Sequence, residues 1–190
     1  EANVLLYADA AMAKSTKEEN IAQRVKMIEN AETGVWTASG VSYGSNKYYK
    51  YEFITGEVAT QVADIWANCA SPDSYASQIV NINSSAEAKP DAWEATYVNP
   101  FGRSGTETKR YSDAVIYEMH VRDWSRAVVE NSTGKYLDLA NSEKFMKHLK
   151  DIGVTHVQIL PVFDHAETNA SSSYNWGYNP YHYNVPEGRY

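Results

Sequence analysis

Among 190 residues there is a single cysteine, Cys69. One thiol cannot close a disulfide within the chain, so no disulfide framework exists and the redox compartment cannot be read. Next to Ala70 it reads as a small buried apolar residue, with no base nearby in sequence to make it a nucleophile. Long apolar runs are missing as well: nothing approaches the roughly 18 residues that a membrane-spanning helix requires. Basic clusters are scarce. With 17 Lys+Arg against 24 Asp+Glu the formal charge is −7, and no grouped Lys and Arg offer a footprint for a phosphate backbone, which argues against nucleic acid as a partner. No basic-then-apolar leader opens the sequence, which decides nothing about secretion if a segment precedes it.

What the chain does have is aromatic surface: fifteen Tyr and five Trp, within a composition of 43% hydrophobic and 22% charged residues able to build a core. Tyr and Trp combine an apolar face with a polar edge, which suits stacking on sugar rings. The same residues serve equally as strand-borne core and cross-strand pairs. Composition leaves both readings open, and Trp36, Tyr49 and Trp93 are read first as packing residues.

The chain divides in two. Residues 1–82 read as short strands and turns: Val4-Leu5-Leu6-Tyr7 is a compact apolar run, and Gly34-Val35-Trp36-Thr37 and Lys47 to Phe53 alternate as half-buried strands do. Gly44-Ser45-Asn46 is expected to turn one into the other as a hairpin. In Ser15 to Asn30 the spacing of Ile21, Val25 and Ile28 predicts a short helical stretch, followed by a strand. Strands at this spacing suggest a β-sandwich. Residues 83–112 read as a linker punctuated by Lys89-Pro90, Asn99-Pro100 and Gly102 to Gly105, with Trp93 expected to pack against a domain. Residues 113–190 read as βαβ. Ala114 to Val121 is the first strand; Ser142 caps a helix with Phe145, Met146, Leu149 and Ile152 on one face; Gly153 ends it; Val154 to Leu160 is the second strand. Strand, helix and buried strand in that order imply a parallel pair with a right-handed crossover.

Three blocks in this second half carry a resemblance. Asp113 to Asp123 resembles the first barrel strand of glycoside hydrolase family 13 debranching enzymes, and Leu149 to Asp164 resembles the end of their first helix and their second strand. Tyr174-Asn175-Trp176-Gly177-Tyr178-Asn179-Pro180 is similar, at all but one position, to the seven-residue signature of type I pullulanases. The first half resembles, more loosely, the carbohydrate-binding module family 48 domain that precedes the barrel in those enzymes. The resemblance implies a mixed fold, a partial immunoglobulin-like β-sandwich followed by the first βαβ unit of a (β/α)8 barrel, in a chain that begins inside the sandwich.

It also implies function. The expected activity is hydrolysis of α-1,6-glucosidic branch linkages in pullulan, starch or glycogen, with retention of configuration; no cofactor and no metal ligand is assigned in the chain. A (β/α)8 barrel takes roughly 250 residues, so 113–190 has room for two of its strands, and the catalytic carboxylates are expected beyond the chain end. No catalytic residue is therefore assigned within the chain. What the resemblance assigns here is substrate binding: Tyr178 stacking on the sugar to be cleaved, Trp176 and Asn175 shaping the same pocket, and Asn179 beside them, where the signature normally carries Asp. His120 and Asp123 are expected to make structural hydrogen bonds at the barrel mouth. Asp164, His165 and His182 lack metal-ligand spacing. The expected partners are an α-glucan polysaccharide and the remainder of the barrel, in an extracellular or cell-surface setting. A non-catalytic glucan-binding protein and an isoamylase or branching-type relative are the competing readings.

Overall fold

The computed structural model describes residues 1–15, 17–42, 44–81, 111–167 and 173–190. All but the end of the expected linker, Trp93 included, lies outside them. The described residues form two compact units, 1–81 with 163–167 and 179–188, and 111–162 with 173–178 and 189–190.

The first unit is organised by β1 (Ala2–Tyr7), whose six residues are all buried. A strand covered on both faces needs backbone partners on both edges, because its buried N–H and C=O groups have no water to turn to. It finds them in β2 (Gln23–Lys26) and β5 (Tyr48–Thr55), both antiparallel. β5 in turn pairs with β6 (Val58–Val62) and with the short β7 (Ser77–Gln78), giving a five-stranded sheet in the order β2-β1-β5-β6 with β7 alongside β5. Gly56, at φ +63°, supplies the left-handed position that a tight β5–β6 hairpin turn requires.

This pairing corrects the expected hairpin between the Trp36 and Tyr49 segments. The edges of β5 are taken by β1 on one side and by β6 and β7 on the other. β4 (Trp36–Thr37) pairs instead with β3 (Ile28–Glu29), across a turn in which Asn30 Oδ1 accepts the N–H groups of Glu32 at 2.9 Å and Thr33 at 3.2 Å. The Ser15–Asn30 segment does hold a helical turn followed by a strand, a 3-10 turn at Glu18–Asn20 and then β2, while α1 (Ala10–Lys14), capped by Asp9, lies just before it. Ile21, Val25 and Ile28 nevertheless share no helix face. Val25 lies opposite Val4 in the ladder, which the Ala22 N–H to Leu6 O and Met27 N–H to Ala2 O bonds extend at both ends. The open edge of β1 outweighed the local helical spacing. β10 (Phe163–His165) and β11 (Pro180–Pro186) form an antiparallel ribbon in the same unit.

In the second unit, β8 (Ile116–Met119) and β9 (His156–Ile159) pair in parallel, with α2 (Val121–Val128), α3 (Tyr136–Ala140) and α4 (Glu143–Asp151) between them in sequence. The first strand is shorter than expected, since His120 already leaves the ladder and Val121 opens α2. α4 has the cap its sequence announces, with Phe145 N–H donating to Ser142 Oγ at 3.2 Å and Gly153 at φ +73° beyond its end. Its buried face is narrower than the periodicity implies. Phe145 and Leu149 face the core formed by Met119, Val121, Leu139 and Tyr190, whereas Met146 and Ile152 stand 48% and 49% exposed. His148 completes the inner face, tilted against Trp124 at 5.3 Å.

One carboxylate oxygen organises the turn before α3. Asp138 Oδ2 accepts from the N–H groups of Lys135, Thr133 and Gly134 and from the hydroxyls of Ser132 and Thr133, all within 2.8–3.2 Å. These donors, Lys135 N–H foremost, hold its carboxyl down to about 2. A depressed carboxylate contributes stability that is fully present above its ordinary value near 3.8 and is lost as pH falls toward 2. Asp138→Ala is therefore expected to unfold at a lower temperature than the parent at pH 6, and the gap should close as the pH approaches 2. A gap independent of pH, in thermal unfolding followed by circular dichroism, would refute the role of the charge.

Candidate functional site: an aromatic loop on the strand ends

In the second unit, residues 173–178 are held against the segments that follow the carboxyl ends of both parallel strands. His120, the first residue after β8, brings its Nε2 to 3.1 Å from the Asn175 carbonyl oxygen. A carbonyl only accepts, so this bond forms in the tautomer that carries the proton on Nε2. The Tyr190 hydroxyl lies 2.9 Å from the same nitrogen and 3.4 Å from the same carbonyl. On the β9 side, Gly177 sits at φ +87°, and a Cβ there would stand 2.9 Å from the Pro161 carbonyl oxygen. Only glycine fits this approach. Asn175 Oδ1 accepts the Gly177 N–H at 2.8 Å and closes the turn.

The start of the loop is braced from α2. The Tyr174 hydroxyl donates to Asp123 Oδ2 at 2.9 Å, its ring rests 5.4 Å from the His120 ring, and the Arg122 guanidinium lies 5.9 Å from its centroid. Partial burial, followed by the bond to Asp123, pushes the Tyr174 hydroxyl above its ordinary value. Arg122 Nη1 and Arg189 also donate to the Ser173 carbonyl.

Beyond Tyr174, which is braced on one face and 49% exposed, two large aromatic side chains of this anchored loop are more open to solvent: Trp176 is 61% and Tyr178 65% exposed. A rigid backbone carrying uncovered aromatic surface is an arrangement for receiving an apolar or ring-shaped ligand. Asn175 serves mainly as backbone and turn. Asn179 falls in the first unit, where its carbonyl accepts the Ala166 N–H at 3.0 Å. His120 and Asp123 make the structural bonds expected of them. Tyr190 and Arg189 carry no local signal: each acts through a contact more than ten residues away in sequence.

The polar residues of β10 and β11 have other duties. His182 Nε2 donates to the Asp64 carbonyl at 2.7 Å, and His165 Nε2 lies 3.2 Å from Glu187 Oε2 with both side chains fully buried. Burial pushes the Asp164 carboxyl up, and the Glu187 charge adds to that shift. Among the described residues no group of three or more His, Cys, Asp and Glu is placed to hold a metal ion.

No protein-family profile matches the chain. Individual proteins do. It is 33% identical to the pullulanase of Bacillus subtilis over 207 residues, covering 97% of this chain and 26% of that protein. A solved structure of a pullulanase variant from Paenibacillus barengoltzii, complexed with maltotetraose, superposes with a TM-score of 0.74 at 28% identity, covering all of this chain and 29% of that one. A 1,4-α-glucan branching enzyme of Saccharophagus degradans is 26% identical over 86% of the chain and 21% of its own length. The chain thus spans between a fifth and a third of the length of these three proteins. Over nearly all of its length, this chain is similar to pullulanases, which are glycoside hydrolases.

Proposed function

We propose that the protein hydrolyses α-1,6-glucosidic branch linkages of pullulan, starch or glycogen, with Tyr178 and Trp176 stacking on the glucan and Asn175 shaping the same subsite. The observation that carries this reading is the anchored loop at the strand ends with its two exposed aromatic rings. Sites of barrel folds lie on that face, and the maltotetraose complex of a related pullulanase is consistent with a glucan ligand. In the same proposal β8 and β9 are the first two strands of a (β/α)8 barrel. The exposure of Ile116 (67%), Val157 (39%) and Ile159 (41%) supports this, because parallel strands are covered on both faces. The remaining strands would be the partner that covers them. The five-stranded sheet would belong to an immunoglobulin-like carbohydrate-binding module, with domains proposed at 1–82, 83–112 and 113–190, while β10 and β11 group with the first compact unit.

Retention of configuration requires two carboxyl groups roughly 5–5.5 Å apart, one nucleophile and one proton donor. The proposal places both beyond the residues of this chain. What these residues contribute is positioning: a stacked ring is held in one orientation, and water is kept from one of its faces. Action outside the cell or at its surface suits a polymeric substrate and is part of the proposal. The similarity to a branching enzyme favours a second reading, in which α-1,6 linkages are made rather than broken.

The test is release of reducing ends from pullulan by the complete gene product, compared with its Tyr178→Ala and Tyr178→Phe variants. Loss of the stacking ring is expected to lower kcat/KM on the order of 100-fold, the usual cost of lost substrate positioning, whereas the phenylalanine variant keeps the ring and most of the activity. Equal activity of the alanine variant would remove Tyr178 from the substrate site. Chain transfer without net release of reducing ends would favour the branching reading.

A further inference from the structure

We infer that a cleft in the first unit, separate from the aromatic loop, binds a sugar carrying a phosphate monoester, with Lys50 and Lys14 holding the phosphate. The cleft has a volume of about 780 Å³, within the roughly 300–1,000 Å³ of small-molecule sites. Its charged lining is Lys14, Arg24 and Lys50 against Glu18 and Glu52. Arg24 engages both carboxylates: its Nε lies 3.0 Å and its Nη2 3.1 Å from the oxygens of Glu52, and its Nη2 lies 2.8 Å from Glu18. The two lysines are left over.

Lys50 is the unusual one. Its side chain projects from the middle of β5, the residue is 6% exposed, and among the described residues no carboxylate lies within ion-pair distance of it. Its one recorded neighbour of note is the Tyr7 ring, 5.4 Å from the ammonium. Burial without an acid holds that ammonium below the ordinary lysine value. At the rim, Lys14 lies over the Tyr75 ring at 4.6 Å and, among the described residues, likewise has no ion-pair partner. In a chain of formal charge −7, two lysines lining one cleft without an ion-pair partner among the described residues are not a general surface property. An isolated buried ammonium is costly, and a dianionic oxyanion would supply the missing charge to both lysines. Phosphate alone would leave most of the cleft empty. The rest is lined by the rings and hydroxyls of Tyr75 and Tyr181 and by apolar Val62 and Ile65, which suit the C–H faces and hydroxyls of a pyranose.

The experiment is calorimetric titration of the full chain with glucose 6-phosphate, inorganic phosphate and glucose in turn. Glucose 6-phosphate is expected to bind with Kd below about 1 mM, inorganic phosphate about tenfold more weakly, and glucose not measurably. Lys50→Met should weaken glucose 6-phosphate about tenfold or more, and Lys50→Arg should keep most of the affinity. Lys14 is exposed, so Lys14→Met should fold normally, with an unchanged unfolding temperature, and weaken binding several-fold; it decides the matter if Lys50→Met does not fold. Three results would overturn the inference: no heat at about 10 mM glucose 6-phosphate, unchanged affinity in the folded lysine variants, or glucose binding as tightly as its phosphate. Inorganic phosphate binding as tightly as the sugar phosphate would overturn the sugar's part in it.

Discussion

Replacing His120 by alanine in the complete gene product is expected to lower kcat/KM on pullulan on the order of 100-fold, although His120 touches no substrate in the proposed site. The ring is 5% exposed and is the one side chain that joins the end of β8 to both the Asn175 carbonyl and the Tyr190 hydroxyl. Its removal takes away the bonds that Nε2 makes to these two groups, at a cost of roughly 0.5–1.5 kcal/mol for each hydrogen bond lost. It also removes the surface on which the Tyr174 ring rests. The backbone carrying Trp176 and Tyr178 then loses its fixed height above the strand ends. Because His120 acts through the loop, it is a positioning residue, and the split between parameters is diagnostic. Glutamine places an amide nitrogen near the position of Nε2, so His120→Gln should restore the bond to Asn175 and recover much of the loss. Equal defects in the glutamine and alanine variants, or none in either, would show that the loop is positioned by something else.

Arg24→Met is expected to destabilise the first unit by about 2–4 kcal/mol. Glu52 is 3% exposed in the middle of β5 and depends on Arg24 for its charge partner. Breaking one side of a buried pair typically costs about 3–5 kcal/mol because the remaining charge is stranded. The lower figure here allows for the 35% exposure of the Arg24 side chain, and for the bonds that Glu52 keeps with Asn3 at 3.0 Å and Gln61 at 3.3 Å. Burial acts to raise the Glu52 carboxyl, yet the bonds from Arg24, Asn3 and Gln61 prevail and hold it below its ordinary value. Its stabilising contribution is therefore present above the ordinary carboxylate range and is lost as the pH falls through the depressed value. Urea unfolding of Arg24→Met at neutral pH measures the loss. Adding Glu52→Gln removes the stranded charge while keeping an acceptor for Asn3, and should recover more than half of it. A double variant no more stable than Arg24→Met would mean that packing of the arginine stem, not charge, is what matters.

Legibility followed the range of the interaction. Val4 to Tyr7 announced a buried strand because four consecutive apolar residues have nowhere else to go. Ser142 and Gly153 bounded a helix because caps act over one turn. The Trp36 segment was paired wrongly because adjacency in sequence suggested a hairpin, while the strand actually beside β5 begins at Ala2. α2 was hidden because Val121-Arg122-Asp123-Trp124 continues an apolar strand without a Gly or Pro to stop it. Of the loop, the aromatic motif was legible and its supports only in part: His120 and Asp123 could be expected at the strand end, but Tyr190 is tied to His120 across 70 positions.

The sequence by itself determined the buried strand, the capped helix, the parallel βαβ order and an aromatic signature specific enough to indicate the pullulanases. Those features depend on side chains within a turn or two of one another, or on a motif read residue by residue. Only the tertiary structure decided which strands meet, that Asn175 is held through its backbone carbonyl, that Trp176 and Tyr178 stay uncovered, and that Lys50 has no ion-pair partner among the described residues. Each of these depends on which groups compete for the same partner. Arg24 can satisfy Glu18 and Glu52 and leave Lys50 alone only once β2 and β5 have docked on opposite edges of β1.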